Sequence, residues 1–345
     1  MTPRIALLAI VLLAQVKEQI TVERILIDAR VTNDSGDPVL GLTRDDFRVK
    51  IDGKLAAVES AEWIPESALA RDLASIDVDA PKKDEINTSL DQPTPRGRLL
   101  VFFFQTDFAR TPSRAQGQQQ ILSMADQWLD WIEEDDRVAV FSFDSHLKFH
   151  LDFSGDKQRI RDAMERALYT DEPLPPRTVP MPSLAKRIDR DEMKKAGSSE
   201  AALIIVANAL RSIPGPKSMI LFGWGLGRFV YGVGVFMEPK YAGARYALER
   251  ARVSVFSIDF TRADAHSLSA GLNKAAEDTG GFYASTFRFP HLALERLQRT
   301  LAGHYELEVR KPETKVKGAH TIEVDVPKRR SANVMARTGY VDSSE

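Results

Sequence analysis

Leu99-Leu-Val-Phe-Phe-Phe104 is an unbroken run of six apolar residues, and it leaves few folds open. A strand with one wet face alternates apolar and polar residues; a run without alternation is covered on both faces, as in a parallel sheet flanked by helices. Strand and helix signals then alternate. Ile121, Ala125, Trp128 and Ile132 recur at helical spacing, with Thr111 or Ser113 placed to cap the start. Val138 to Phe143 is a second buried strand, and Leu147 to Phe153 alternates like its antiparallel edge partner. Gly155-Asp156 leads into a helix through Ile160, Met164 and Leu168. Residues 170–197 hold five prolines and many charges, which predicts a surface excursion. Leu203, Val206, Ala207 and Leu210 mark a helix, Met219 to Phe222 a strand, Tyr246 to Arg252 a helix and Val253 to Ile258 a strand. A helix over Leu272 to Asp278 stops at Gly280-Gly281, Phe282-Tyr283 opens a short strand, and Leu294, Leu297 and Leu301 mark a closing helix. This order predicts an α/β fold: a doubly wound, mostly parallel sheet with its ligand crevice at the carboxyl ends of the strands.

The flanks differ. Ile25, Ile27, Ala29 and Val31 alternate with polar neighbours and end in the turn Asp34 to Pro38. Phe47, Val49 and Ile51 alternate into Asp52-Gly53, a hairpin signal. After His304 the alternation returns at Tyr305, Leu307 and Val309, at Ile322, Val324 and Val326, and at Val334 and Ala336 before Gly339-Tyr340. Few-stranded units are marginal alone, so the two flanks are expected to form one smaller antiparallel β-sandwich domain around the α/β insert. The expected boundaries are 1–19 for a signal peptide, 20–65 and 304–345 for the sandwich, 66–97 for a polar linker, and 98–303 for the α/β domain.

Composition removes several functions. With 47 basic and 49 acidic side chains in 345 residues, no field gathers nucleic acid. Without cysteine there are no disulfides, thiolate catalysis or Cys-bound zinc. Of the six histidines, only His146 and His150 are close in sequence, and they lie about 13 Å apart along a strand, too far to share a metal. No nucleophile elbow, P-loop or catalytic triad stands in a convincing context, which argues against an enzyme. Arg4 precedes an apolar run from Ile5 to Ala14, long enough for a signal peptide and short of the roughly 20 residues that span a bilayer. Export to a secreted or periplasmic location is therefore expected, with no integral membrane segment after signal removal.

Four ordered phrases carry a resemblance: Val31 to Gly53, Asp136 to Asp156, Ala275 to Tyr283, and Ala336-Arg-Thr-Gly-Tyr340. With the order of elements, they make the chain similar to von Willebrand factor A (vWA) domains, and to the VWFA-related family described from Acidobacteria, from about residue 20 onward. In the wider class a magnesium-type ion is held by an Asp-x-Ser-x-Ser motif after the first strand, a Thr on a later loop and an Asp after the fourth strand. The resemblance carries these positions onto Gln105-Thr-Asp107-Phe-Ala109, onto Ser198 or Ser199, and onto Trp224-Gly225. Gln and Trp replace two acidic ligands, so the resemblance implies a degenerate metal-ion-dependent adhesion site (MIDAS), with no metal and no cofactor.

The expected ligand-binding residues are Gln105, Asp107, Ser198, Ser199 and Trp224, and the expected partner is a protein or peptide. Trp224 has two readings, an exposed anchor for the partner or a plug in the vacant crevice. Gly223-Trp-Gly-Leu-Gly227 lacks the phosphate-loop spacing and reads as a flexible crossing loop. Asp259 fits a helix cap or loop role. Asp45-Asp46 fits a solvated turn, and Glu133-Glu-Asp-Asp136 an exposed charged connection. The alternatives are a divalent-metal adhesion module using Asp107 from a shifted position, with waters and Asp144 as further ligands, and a hydrolase built on the α/β scaffold. Mass spectrometry of the native envelope protein should find its N-terminus near residue 20; intact Met1 in a cytoplasmic fraction would defeat the export reading.

Overall fold

The computed structural model describes residues 23–68, 70–72, 97–107, 112–169, 173, 182–263, 266–312 and 317–342. The expected signal peptide and most of the expected linker lie outside the described residues. No helix among the described residues is long and apolar enough to cross a membrane.

The N-terminal flank contains β1 (Arg24–Thr32), β2 (Arg48–Ile51), β3 (Lys54–Ala56) and β4 (Val58–Pro65). Between β2 and β3, Asp52 and Gly53 both take positive φ, 50° and 74°, the backbone that a two-residue hairpin with right-twisted strands requires.

The α/β region follows in the order β5 (Leu99–Gln105), α1 (Pro112–Ser123), α2 (Ala125–Asp130), β6 (Arg137–Phe143), β7 (Leu147–Ser154), α3 (Lys157–Leu168), α4 (Arg190–Lys195) and α5 (Ser199–Leu210). It continues with β8 (Lys217–Gly223), β9 (Arg228–Val230), β10 (Gly234–Phe236), α6 (Lys240–Arg250), β11 (Val253–Asp259), α7 (Ser269–Thr279), β12 (Tyr283–Ser285) and α8 (Pro290–Thr300). The C-terminal flank supplies β13 (Gly303–Arg310), β14 (Ala319–Asp325), β15 (Asn333–Ala336) and β16 (Gly339–Val341).

Six strands form the central sheet in the order β12-β11-β8-β5-β6-β7, all parallel except the edge strand β7. Alternate residues of β5 serve opposite faces. Val101 and Phe103 join Leu203, Val206 and Leu248 in one apolar cluster, while Leu100, Phe102 and Phe104 join Trp128, Ile160, Met164 and Leu297 in the other. The chain leaves β5 toward β6 on one side and reaches β8 on the other. This reversal opens a crevice at the carboxyl ends of β5 and β8, the usual ligand position in such sheets.

Both flanks contribute to each outer sheet. β1 and β4 pair with β13 and β15 in the order β15-β1-β13-β4, and β2 and β3 join β14 and β16 in the order β16-β14-β2-β3. One apolar cluster draws Ile27, Ala29, Val31, Tyr305 and Leu307 from the first sheet together with Val49, Ile51 and Ile322 from the second.

Several local expectations need correction. Pro112 takes the first helical position of α1, where a missing N–H costs nothing; Ser113 therefore sits inside the helix, and the capping position falls on residue 111, outside the described residues. The run Glu133 to Asp136 is exposed only at Glu134 and Asp135; its two ends turn inward. Asp136 is fully buried, accepting the Arg98 backbone N–H at 2.8 Å and the Arg98 guanidinium, while Glu133 accepts the Ala68 N–H at 2.9 Å. The excursion 170–197 contains α4, and at 183–185 it turns inward: buried Asp152 accepts the Ser183 hydroxyl at 2.6 Å and the Leu184 N–H at 2.9 Å. The linker expected from residue 66 starts inside the protein, because Glu66 answers two buried cations.

Those cations belong to a polar seam between the central sheet and the first outer sheet. Fully buried Arg30 of β1 reaches Ser254 of β11 at 3.3 Å, Ser218 of β8 at 3.4 Å and Glu66 at 3.3 Å. Arg252 donates to Asp28 at 3.0 Å and to Glu306 at 2.6 Å. The His304 ring lies between Glu66 at 3.1 Å and Asp28 at 3.5 Å, in ion-pair contact rather than aligned hydrogen bonds. Burial alone depresses the His304 pKa, but the two carboxylates outweigh it and lift it to about 9. Burial pushes the Glu66 carboxyl up, yet Arg30 and His304 hold it near 2. Lys217 is pulled down to about 7 by burial and by the charge of Arg252.

The sign follows. A histidine raised from 6.5 to about 9 stabilises the fold fully below 6.5, and that stabilisation disappears as pH rises through 9. Lys217 acts oppositely in the same range, so the difference between two proteins is the clean measurement. Wild type should exceed His304→Gln by an amount on the order of 2–3 kcal/mol at pH 6, closing toward pH 10 in urea titrations. A gap independent of pH would mean that His304 is neutral in the fold.

Candidate ligand crevice

Gln105 ends β5 with its side chain buried beneath the crevice. Its Nε2 donates to Ser199 Oγ at 3.1 Å, while Oε1 accepts the backbone N–H groups of Trp224 at 3.1 Å and Gly225 at 3.3 Å. One amide thus ties the end of β5 to the start of α5 and the loop after β8. An amide donates and accepts at once, which a carboxylate in the same place would not. The next residues are held as firmly: the N–H groups of Thr106 and Asp107 donate to the Phe143 carbonyl at 2.7 and 3.1 Å.

Trp224 resolves in favour of the plug. The residue is 9% exposed, belongs to the cluster of Phe104, Phe222, Ile258 and Phe260, and donates its indole N–H to Asp107 Oδ1 at 2.8 Å. The loop that carries it is packed rather than flexible. Leu226 is 2% exposed, and a side chain on Gly225 would meet Leu268 Cβ at 2.4 Å. Gly225 is therefore needed for the loop to approach α7.

The structure brings Gln105, Asp107, Ser199 and Trp224 together as one hydrogen-bonded group. Ser198 does different work: it is the N-cap of α5, accepting the Ala201 N–H at 3.2 Å. Asp259 caps no helix; of its two expected roles it takes the one in the loops. It is 1% exposed at the end of β11 and accepts His266 Nε2 at 2.6 Å, the Tyr283 hydroxyl at 2.8 Å and the Thr261 N–H at 2.8 Å. Burial, reinforced by the Asp259 charge, keeps the Tyr283 phenol protonated. His266 and Tyr283 stand far from Gln105 in sequence, with no motif to announce them. His146 and His150 are separate: buried His150 meets Ser142 at 2.7 Å, and burial followed by the Lys148 charge depresses its pKa to about 4.

The donor set does not fit the magnesium-type ion of the wider class. Gln105 Oε1 already accepts two N–H groups and Asp107 Oδ1 the indole, whereas a hard cation needs several free oxygens. Asp144 answers Lys148 Nζ at 3.0 Å, so its charge is met within the chain. Among the described residues no group of three or more acidic or histidine side chains is placed to hold a metal.

No family model matches the chain, and no curated protein matches it. Among solved structures, it is similar to an aerotolerance-related membrane protein from Bacteroides fragilis, at 13% identity and a TM-score of 0.40, covering 59% of this chain and 98% of that one. It is similar to the SpRpn10 VWA domain at 11% identity and a TM-score of 0.36, covering 58% and 93%. It is also similar to proximal thread matrix protein 1 from the mussel byssus at 14% identity and a TM-score of 0.39, covering 62% of this chain but only 48% of that one. These neighbours include vWA domains. Strand order and register, rather than such distant likenesses, define the architecture: a mostly parallel α/β sheet with separate antiparallel sheets built from the flanks.

Trp224→Ala should lower the unfolding free energy by about 3 kcal/mol, the usual range for emptying an aromatic core site. Trp224→Phe, which keeps a ring and loses the bond to Asp107, should cost about 1 kcal/mol. Unchanged urea midpoints in both variants would place the indole in solvent and restore the anchor reading.

Proposed function

We propose that the chain is an exported vWA-like protein-interaction module with a degenerate MIDAS, that it captures a protein or peptide partner without metal, and that it is not an enzyme. Its flanks are read as one β-sandwich carrying the α/β insert. The observation that supports capture is the hairpin β9–β10, which the sequence reading missed. It leaves the crevice loop directly after Gly227 and presents Phe229, Tyr231, Val233 and Phe236 to solvent, with Tyr231 92% exposed. Its base is held against that loop: a side chain on Gly227 would meet the Phe236 carbonyl at 2.5 Å. Exposed aromatics on a fixed base are the composition of an interface anchor. The anchoring role first open to Trp224 thus moves to the rim, while the crevice itself is filled.

The hydrolase alternative has the Asp259–His266 pair on its side. The same carboxylate also takes the Tyr283 hydroxyl and the Thr261 N–H, so its geometry serves loop fixation as well as it would serve a base. Immobilised protein should retain its partner from the envelope fraction equally with chelator and with magnesium. The double variant Phe229→Ser/Tyr231→Ser should keep the wild-type melting temperature and lose at least about tenfold in retention, the effect of one interface hot spot. Retention that survives the double variant, or that needs the metal, would sink this reading.

A further inference from the structure

The strand β12 lies at the outer edge of the central sheet and pairs on one side only, with Ser257, Ile258 and Asp259 of β11. In a parallel ladder, successive residues turn their N–H and C=O groups to opposite sides. The Phe282 carbonyl accepts the Ser257 N–H at 2.9 Å and the Thr286 N–H donates to the Asp259 carbonyl at 2.9 Å, so the even-numbered residues face inward. Tyr283 and Ser285 consequently direct their backbone groups outward, and Ser285 is exposed. Next to this edge, between β12 and the first turns of α8, lies a cavity of about 360 Å³ lined in part by Tyr283, Phe287, Phe289, Leu292 and Arg296. Phe289 and Leu292 are 57% and 51% exposed there. The Arg296 guanidinium lies over the Phe282 ring at 4.1 Å and makes no ion pair among the described residues. Arg262 adds a second cation over Phe287 at 5.8 Å.

We propose that the β12 edge and this cavity form a docking groove for an extended peptide segment of a partner protein that carries an apolar and an acidic residue two positions apart, on one face of the added strand. The backbone of the peptide adds a strand to Tyr283 and Ser285, an apolar side chain enters the cavity, and a carboxylate meets Arg296. Each part of the occupant answers a feature of the groove. Outward backbone groups ask for an extended chain, aromatic walls for an apolar side chain, and the Arg296 guanidinium, without an ion pair among the described residues, for a carboxylate. A three-residue edge is short, as exposed edges commonly are, so the side-chain contacts must carry the specificity. The groove is separate from the hairpin, and the two surfaces stand or fall independently.

The probe is a fluorescein-labelled peptide of about nine residues in which valine and glutamate take turns at every second position with threonine between them, titrated to about 1 mM against the full chain by anisotropy. Saturable binding is expected. A twin with lysine for glutamate, and a twin N-methylated at alternate amides, should each bind at least about tenfold more weakly. Arg296→Glu should reverse the preference between the glutamate and lysine peptides, with its melting temperature confirming the fold; the N-methylated twin tests the unmodified chain should that variant not fold. No saturation, equal binding of the N-methylated twin, or displacement by laurate at lower concentration than by unlabelled peptide would overturn the proposal, the last by showing a site for an acyl carboxylate.

Discussion

Burial of β5 on both faces is the constraint on which the rest of the molecule depends. All seven residues of this strand are buried, and its alternate side chains anchor two separate apolar clusters. Such a strand exists only where helices cover both faces of the sheet, which requires crossover connections, and crossovers place the loops at the carboxyl ends. The crevice is thus a by-product of satisfying Leu99 to Phe104. Phe222 of β8 shows how tightly the neighbours are bound in: it stacks on Phe104 at 4.7 Å and meets Trp128 edge-on at 5.0 Å. The residue two places later, Trp224, continues that packing into the crevice.

The seam beneath the outer sheet has a different character. Apolar surfaces join elements without demanding one register, whereas Arg30, Glu66, His304, Asp28 and Arg252 must each find a partner because a buried charge left alone is costly. Such a network adds little net stability over an apolar seam, but it penalises any shift of β1 or β13 against β8 and β11. It offers a physical reason why two flanks separated by more than half of the chain pair in one register.

Much of this was legible from local pattern. Unbroken apolar runs located the central strands, Asp52-Gly53 the first hairpin, and Asp156 the start of α3, where its side chain accepts the N–H groups of Gln158 and Arg159. Four of the five expected site residues meet in one group, since strand ends in this topology converge. What escaped depends on partners distant in sequence. Glu133 to Asp136 has the composition of a solvated turn, and nothing nearby reveals that Arg98 draws Asp136 inside. β9 and β10 are three residues each, too short for periodicity to register. Whether Trp224 points to solvent or to core is decided by Asp107 and by the room beside Phe222, neither of which is a local property of Gly223 to Gly227.

Filling the crevice also changes what recognition there can rest on. A metal site of the wider class concentrates affinity in one carboxylate–cation bond, strong and indifferent to the rest of the partner. Here the amide of Gln105 and the indole of Trp224 tie Ser199, Asp107 and the loop after β8 to one another. These bonds, with the close packing at Gly225 and Gly227, hold the loop from which β9 and β10 emerge. Binding by apolar side chains on a fixed support draws on buried area and shape rather than on charge, and so tolerates changes in salt and chelator that would release a metal-bridged partner. On the reading proposed above, Gln105 and Trp224 serve the hairpin as a support, through the bonds that tie the end of β5 to the loop after β8.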